Sequence, residues 1–184
     1  MESMTPEQAR HVLEEADLVY DAGAVRGAIR IMADEITQVL GERNPLIVVV
    51  MHGGVYLAGQ ILPLLEFPLG LDYVHVTRYG LSTSGGALTW KALPSESVRG
   101  RAVLVLDDIL DVGQTLAAVR ARLLASGADS VQCAVLTEKQ TGSPKSLKPD
   151  FVDLKVPNRY VFGCGMDVSG AWRNLPAIYA MKEA

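Results

Sequence analysis

The chain has little cysteine, no surplus of positive charge and no long apolar run, and each shortage excludes a class of protein. Its two cysteines, Cys133 and Cys164, are too few for a disulfide scaffold and show no CxxC or Cys/His metal spacing, so they read as buried thiols in a reducing cytosol. Seventeen Lys and Arg against 21 Asp and Glu leave a net charge of −4. No basic field therefore draws in a nucleic acid, and any phosphate must be held by a local site. The longest apolar run, Pro45 to Met51, stops at His52-Gly53-Gly54, short of the roughly 18 residues that cross a bilayer. Met1-Glu2-Ser3-Met4 lacks the basic start and apolar core of an export signal. There is no internal repeat or low-complexity segment, and the expectation is a cytoplasmic protein with neither membrane nor nucleic-acid partner.

The 184 residues, 49% apolar and 21% charged, suit one full-sized domain. Thr5-Pro6-Glu7-Gln8 predicts a capped helix start with Pro6 in its first turn, running to about Asp21. After Gly23, residues Val25, Ile29, Met32, Ile36, Val39 and Leu40 share a helical face that should end at a left-handed Gly41. Residues 1–41 are thus read as N-terminal helices. From Pro45 the texture changes to continuous apolar runs at 46–51 and 102–106, the mark of buried parallel strands. Further strands are expected at 71–78 and 131–136, with helices near 55–65 and 114–125. The reading is an α/β fold with a wound, mostly parallel sheet over residues 45–139. Residues 79–90, rich in Gly, Ser and Thr, read as a flexible lid, and the tail from about residue 150 as an appendage to the sheet.

The chemistry concentrates between Val103 and Leu116. A buried strand ends in Asp107-Asp108, a third acid follows at Asp111, and Val112-Gly113-Gln114-Thr115 opens a helix. Carboxylates at the carboxyl end of a strand stand where open α/β sheets bind ligands, and a helix N-terminus suits a phosphate dianion. Three acids for hydroxyls or metal, with one phosphate nest, suggest a phosphorylated sugar. Plain helix capping would also account for such acids. A Walker-B-like strand is another reading, but Gly54 to Ile61 lacks the Lys and Ser/Thr that such a site requires of its partner loop.

The element from Val103 to Leu116 resembles the phosphoribosyl-diphosphate (PRPP) signature of type I phosphoribosyltransferases. Asp111 points to their 6-oxopurine branch, because adenine enzymes typically carry Ala there and pyrimidine-operon regulators commonly Phe. The resemblance to hypoxanthine-guanine phosphoribosyltransferases extends from about Leu46 to Met181. Met51-His52-Gly53-Gly54 stands where that family has Leu-Lys-Gly, a loop with a cis peptide that contacts pyrophosphate. Arg78-Tyr79-Gly80 stands at its Ser-Tyr-Gly. Leu136-Thr137-Glu138-Lys139, Pro149-Asp150-Phe151-Val152 and Trp172-Arg173-Asn174-Leu175 match the purine-binding strand end and the tail.

The resemblance implies a type I phosphoribosyltransferase fold with a small hood formed largely by the C-terminal segment, residues 150–184, which would bind the base. It implies transfer of the 5-phosphoribosyl group from PRPP to hypoxanthine or guanine, with Mg²⁺ as cofactor and release of pyrophosphate, in a homodimer or homotetramer. A xanthine-preferring enzyme and a nucleotide-sensing, RNA-binding regulator are the alternatives. Asp111 would take the proton from the purine and, with Tyr79 of the lid, count as catalytic. Asp107 and Asp108 would hold the ribose hydroxyls and help place Mg²⁺. Val112, Gly113, Gln114 and Thr115 would cradle the 5-phosphate, and His52, Gly53, Arg78 and Arg173 would meet pyrophosphate. Lys139 would donate to the 6-oxygen, Tyr160 stack on the base, Val161 read its edge through the backbone, and Asp167 bind beside the purine and a second Mg²⁺. Asp167 and Arg173 could otherwise form a surface ion pair. This chain departs from the family pattern at His52 for Lys, Arg78 for Ser and Val112 for Thr.

Overall fold

Residues 4–78 and 88–182 are described by the structure, a computed structural model. In chain order the elements are α1 (Pro6–Glu15), β1 (Asp17–Tyr20), α2 (Ala22–Leu40), β2 (Leu46–Met51), α3 (Gly54–Ile61), β3 (Gly70–Arg78), β4 (Leu88–Ala92), β5 (Ala102–Leu110), α4 (Gln114–Ala125), β6 (Ser130–Lys139), β7 (Leu154–Val156), β8 (Val161–Phe162) and β9 (Ile178–Ala180). The central sheet has the order β4-β3-β2-β5-β6-β7. All its pairings are parallel except β3 with β4. A second, antiparallel sheet, β1-β9-β8, forms the hood.

Burial on both faces explains the unbroken apolar runs. In β5, Leu104 and Leu106 pack with α2 and α3 on one side, while Val103 and Val105 pack with α4 on the other. One strand thus feeds two core layers, as side chains alternating across a pleat must. The start of α1 is the expected capping box, in which the Gln8 amide donates to Thr5 Oγ1 at 3.2 Å and the Thr5 amide to Gln8 Oε1 at 2.9 Å.

The structure corrects several expectations. The first helix ends at Glu15 rather than near Asp21. Asp17, Leu18 and Tyr20 instead pair with β9, with an irregularity at Val19, and this tertiary partner overrides local helical spacing. In α2, Leu40 is fully buried but Val39, in the last turn, is 48% exposed. Gly41 has φ −56°, so it is right-handed. The helix at 55–65 shortens to α3 and a 3₁₀ turn, Leu62–Leu64, containing Pro63. β5 runs on to Leu110, because β6 continues beside it through the pair Leu110↔Glu138. Asp107 and Asp108 therefore lie within the strand, two residues short of its end, rather than ending it. The tail begins by adding β7 to the edge of the central sheet. Of the expected lid, residues 88–90 belong to β4, and residues 79–87, with Tyr79, lie outside the described residues.

Candidate active site

Parallel strands deliver the predicted residues to one end of the sheet. β2 leads into His52 and Gly53, β5 carries Asp107 and Asp108 and leads into Asp111, and β6 ends on Lys139. β3 ends on Arg78. The hood supplies Tyr160, Val161, Asp167 and Arg173. A cavity of about 180 Å³ is lined by Asp108, Asp111, Lys139, Tyr160, Val161 and Asp167, all predicted, and by Ile109 and Met166, which the sequence alone does not single out. A larger cleft of about 330 Å³ between Trp90 and Arg122 holds none of these groups.

The two adjacent acids are not equivalent. Asp107 Oδ1 accepts the Asp108 amide at 3.0 Å, and Asp108 Oδ1 accepts the Ile109 amide at 2.7 Å. Burial, then the charge of Asp108, pushes the Asp107 carboxyl well above the usual carboxylate range. Burial likewise raises Asp108, against hydrogen bonds and the nearby Arg173 guanidinium. The Arg173 charge lowers both carboxyls without offsetting their burial. Around Asp108 the backbone closes tightly: a Cβ on Gly53 would stand 2.2 Å from Asp108 Oδ2, and one on Gly165 3.1 Å from Asp108 Cβ. Glycine at both positions is a packing requirement, as is the buried Thr137, whose hydroxyl donates to the Asp108 carbonyl at 3.2 Å.

At the ends of β5 and β6, Lys139 Nζ lies 3.3 Å from Asp111 Oδ2, with the lysine side chain 15% and the aspartate 48% exposed. Tyr160 is 54% exposed, an open aromatic face, and its phenol is pushed up by burial and then by Asp167. Asp167 and Arg173 do form an ion pair. The pair is fixed further by the Gly170 amide, 2.7 Å from Asp167 Oδ2, and by the bond from Arg173 Nη1 to the Gly165 carbonyl at 2.6 Å. After β5, Gly113 is the N-cap of α4 with φ 80°, followed by Gln114 and Thr115, and the Val112 carbonyl accepts the Ser146 amide at 3.0 Å. The Met51-His52 peptide is cis, and Gly53 follows it into α3. The His52 ring meets His75 edge-on at 4.8 Å. Burial, then His52, holds His75 below its ordinary range. Both cysteines are buried and free, and burial pushes each thiol to about 12.

His75, Met166, Gly165 and Lys145 all bear on the site without a sequence motif of their own, and Thr137 does so from within the Leu136–Lys139 segment. The Gly163-Cys164-Gly165 spacing is the one visible hint, since paired glycines flag close backbone approach.

An acid pair on a buried strand, a glycine-opened helix beside it and a hood over the end of the sheet define the architecture of sugar-diphosphate transfer. The chain belongs to the phosphoribosyl transferase domain family, whose model matches residues 16–169. Within it the chain stands with the hypoxanthine-guanine enzymes. It is 32% identical over 168 residues to the hypoxanthine-guanine-xanthine phosphoribosyltransferase of Tritrichomonas foetus, covering 91% of this chain and 92% of that protein. It is 29% identical over 181 residues to the hypoxanthine-guanine phosphoribosyltransferase of Streptococcus pneumoniae, covering 98% and 97%. A solved hypoxanthine-guanine-xanthine phosphoribosyltransferase superposes with a TM-score of 0.83 at 28% identity, over 92% of this chain and 99% of that one.

Proposed function

We propose that the protein joins hypoxanthine or guanine to the phosphoribosyl group of PRPP, giving IMP or GMP and pyrophosphate. The observation that carries this is the Lys139–Asp111 pair, 3.3 Å apart at the rim of the 180 Å³ cavity. A 6-oxopurine presents an acceptor oxygen and the N7 proton side by side, matching an ammonium donor beside a carboxylate acceptor. Adenine offers an amino donor where Lys139 also donates. Xanthine, which has the same 6-oxygen, is a third candidate.

In the reaction the purine N9 bonds to the ribose C1 as the bond from C1 to the diphosphate oxygen breaks, and Asp111 takes the N7 proton. Tyr160 would stack on the base and the Val161 backbone would meet its edge. The N-terminus of α4 would hold the 5-phosphate, and Arg173, His52, Gly53 and Arg78 would face pyrophosphate. Among the described residues no cluster of three or more His, Cys, Asp or Glu forms a metal cage. The adjacent Asp107 and Asp108 carboxylates, the second of them buried, fit Mg²⁺, which keeps several waters and commonly binds through one or two carboxylates plus substrate oxygens. Asp107 and Asp108 would hold it, and it supplies charge neutralisation on the diphosphate when bound. Asp167 would serve a second ion only by sharing a carboxylate already engaged by Arg173 and Gly170. For assembly into a homodimer or homotetramer, β3 offers an apolar strip, with Leu71 54% and Tyr73 46% exposed.

The test is to incubate the protein with PRPP, Mg²⁺ and each of hypoxanthine, guanine, xanthine, adenine and uracil, measuring nucleotide and pyrophosphate. Turnover with adenine alone, or with no base, would sink the proposal. Lys139→Met should raise the KM for hypoxanthine by about ten- to a hundredfold, since a hydrogen bond from a charged group contributes roughly 1.5–3 kcal/mol. The KM for PRPP should stay within about twofold, because Lys139 lies on the base side of the site. Equal hypoxanthine kinetics in the two proteins would reduce Lys139 to a surface charge.

A further inference from the structure

The loop after β6 holds a cation that the proposed chemistry leaves unused. Lys145 turns back beneath the site, where its Nζ donates to the carbonyls of Leu110 at 3.1 Å, Asp111 at 2.5 Å and Lys139 at 2.6 Å. Its side chain is 13% exposed, with Glu138 Oε1 3.9 Å away. An ammonium group has three N–H donors and no acceptor. All three are committed to main-chain oxygens, so Lys145 has no donor left for base or phosphate.

The place of these carbonyls matters more than their number. The ladder between β5 and β6 ends at the pair Leu110↔Glu138. Asp111 and Lys139 are the next residues on each strand, and they carry the side chains proposed to take the purine proton and to read the 6-oxygen. Lys145 binds both backbones where the ladder stops. The Ser146 amide extends the tie to the Val112 carbonyl at 3.0 Å, and the Ser146 and Leu147 amides pack against Gly113, within 3.5 and 3.2 Å of where a Cβ would stand.

We propose that Lys145 is a positioning residue: by clamping the Leu110, Asp111 and Lys139 carbonyls it fixes the spacing of the Asp111 carboxylate and the Lys139 ammonium across the base pocket. This rests on the proposed 6-oxopurine reaction. It differs from loop stabilisation alone, because a misplaced acid–base pair harms proton transfer and base binding while leaving PRPP binding alone.

The decisive comparison sets Lys145→Met, which keeps the apolar stem and removes the donors, against wild type, and repeats it in an Asp111→Asn background. In the otherwise wild-type protein, kcat with hypoxanthine should fall about ten- to a hundredfold and the KM for hypoxanthine rise about tenfold. The KM for PRPP should stay within about threefold. In the Asp111→Asn background the same change should lower kcat less than about threefold, because two residues acting through one group are not additive. Full additivity, equal losses for base and PRPP, or kinetics within about twofold of wild type would each overturn the proposal. Amide hydrogen exchange on the same proteins, with Lys145→Arg added in case the Met variant does not fold, reads the clamp without any substrate. Residues 111 and 140–145 should exchange at least about tenfold faster in Lys145→Met, or measurably faster in Lys145→Arg, whose planar guanidinium does not match three convergent carbonyls. Unchanged exchange overturns the clamp. Absence of wild-type turnover with every base sinks the functional reading instead, and exchange still decides whether Lys145 holds the two strand ends.

Discussion

Replacing Asp111 by Asn should lower kcat with hypoxanthine by about two to four orders of magnitude, the usual contribution of a general base. The substitution keeps side-chain size and an oxygen that can still accept from Lys139, now 3.3 Å away. It also leaves the loop in place, since the Asp111 carbonyl is held by Lys145 at 2.5 Å through the main chain. What disappears is the capacity to take a proton. The 48% exposure of the Asp111 side chain means that no buried contact is lost with the charge, so the melting temperature should hardly move. PRPP binding should also persist, because the Asp107–Asp108 pair and the start of α4 are untouched. Calorimetric PRPP affinity beside steady-state turnover checks both halves. An Asn variant within a few-fold of wild-type kcat would remove Asp111 from proton transfer.

The legible parts of this protein are those whose physics is local in sequence. Continuous apolar runs mark strands buried on both faces, and Asp107-Asp108 followed by Asp111 and Gly113 marks a strand, an acid cluster and a helix start within one short segment. The Thr5–Gln8 capping box is equally local. What depends on tertiary partners escapes. β1 forms because β9 lies beside it, and β5 outruns its apolar stretch because β6 does. At the site, Lys139 ends an apolar strand and so announces itself, whereas Lys145 stands in a loop among Gly, Ser and Pro with no pattern around it. Its role exists only because the chain returns under the ends of β5 and β6. Asp167 and Arg173 illustrate a third case, in which the ion pair of the plain reading forms between residues that are also proposed to bind ligand. The pair sits in the hood, and the Arg173 charge still acts on Asp107 and Asp108.

Gly165→Ala is the substitution for which structure and sequence give the most different forecasts. In the sequence it adds one methyl group in a small-residue stretch. In the fold, Gly165 has φ +104°, and a Cβ there would stand 2.2 Å from the Gly53 carbonyl oxygen and 3.1 Å from Asp108 Cβ. The backbone conformation alone costs an L-residue on the order of 1–3 kcal/mol. The overlap is with a main-chain oxygen, which cannot rotate away, so hood and β2–α3 loop must separate, adding roughly another 1–3 kcal/mol as overpacking does. A total near 3 kcal/mol would lower the melting temperature by about 6–12 °C for a chain of this size. Gly100→Ala is the matched control, with φ +69° and nothing within 4 Å of the added atom. It carries the conformational cost without the collision, and should lower the melting temperature by about half as much. Activity separates the two further. At temperatures where both variants are folded, Gly165→Ala should lower kcat/KM for PRPP by about a hundredfold, since the displaced atoms are those seating Asp108 and the Gly53 loop proposed to face pyrophosphate. Gly100→Ala should stay within about twofold. Equal melting temperatures and equal activities in the two variants would mean that the hood does not press on Gly53 and Asp108 as the geometry requires.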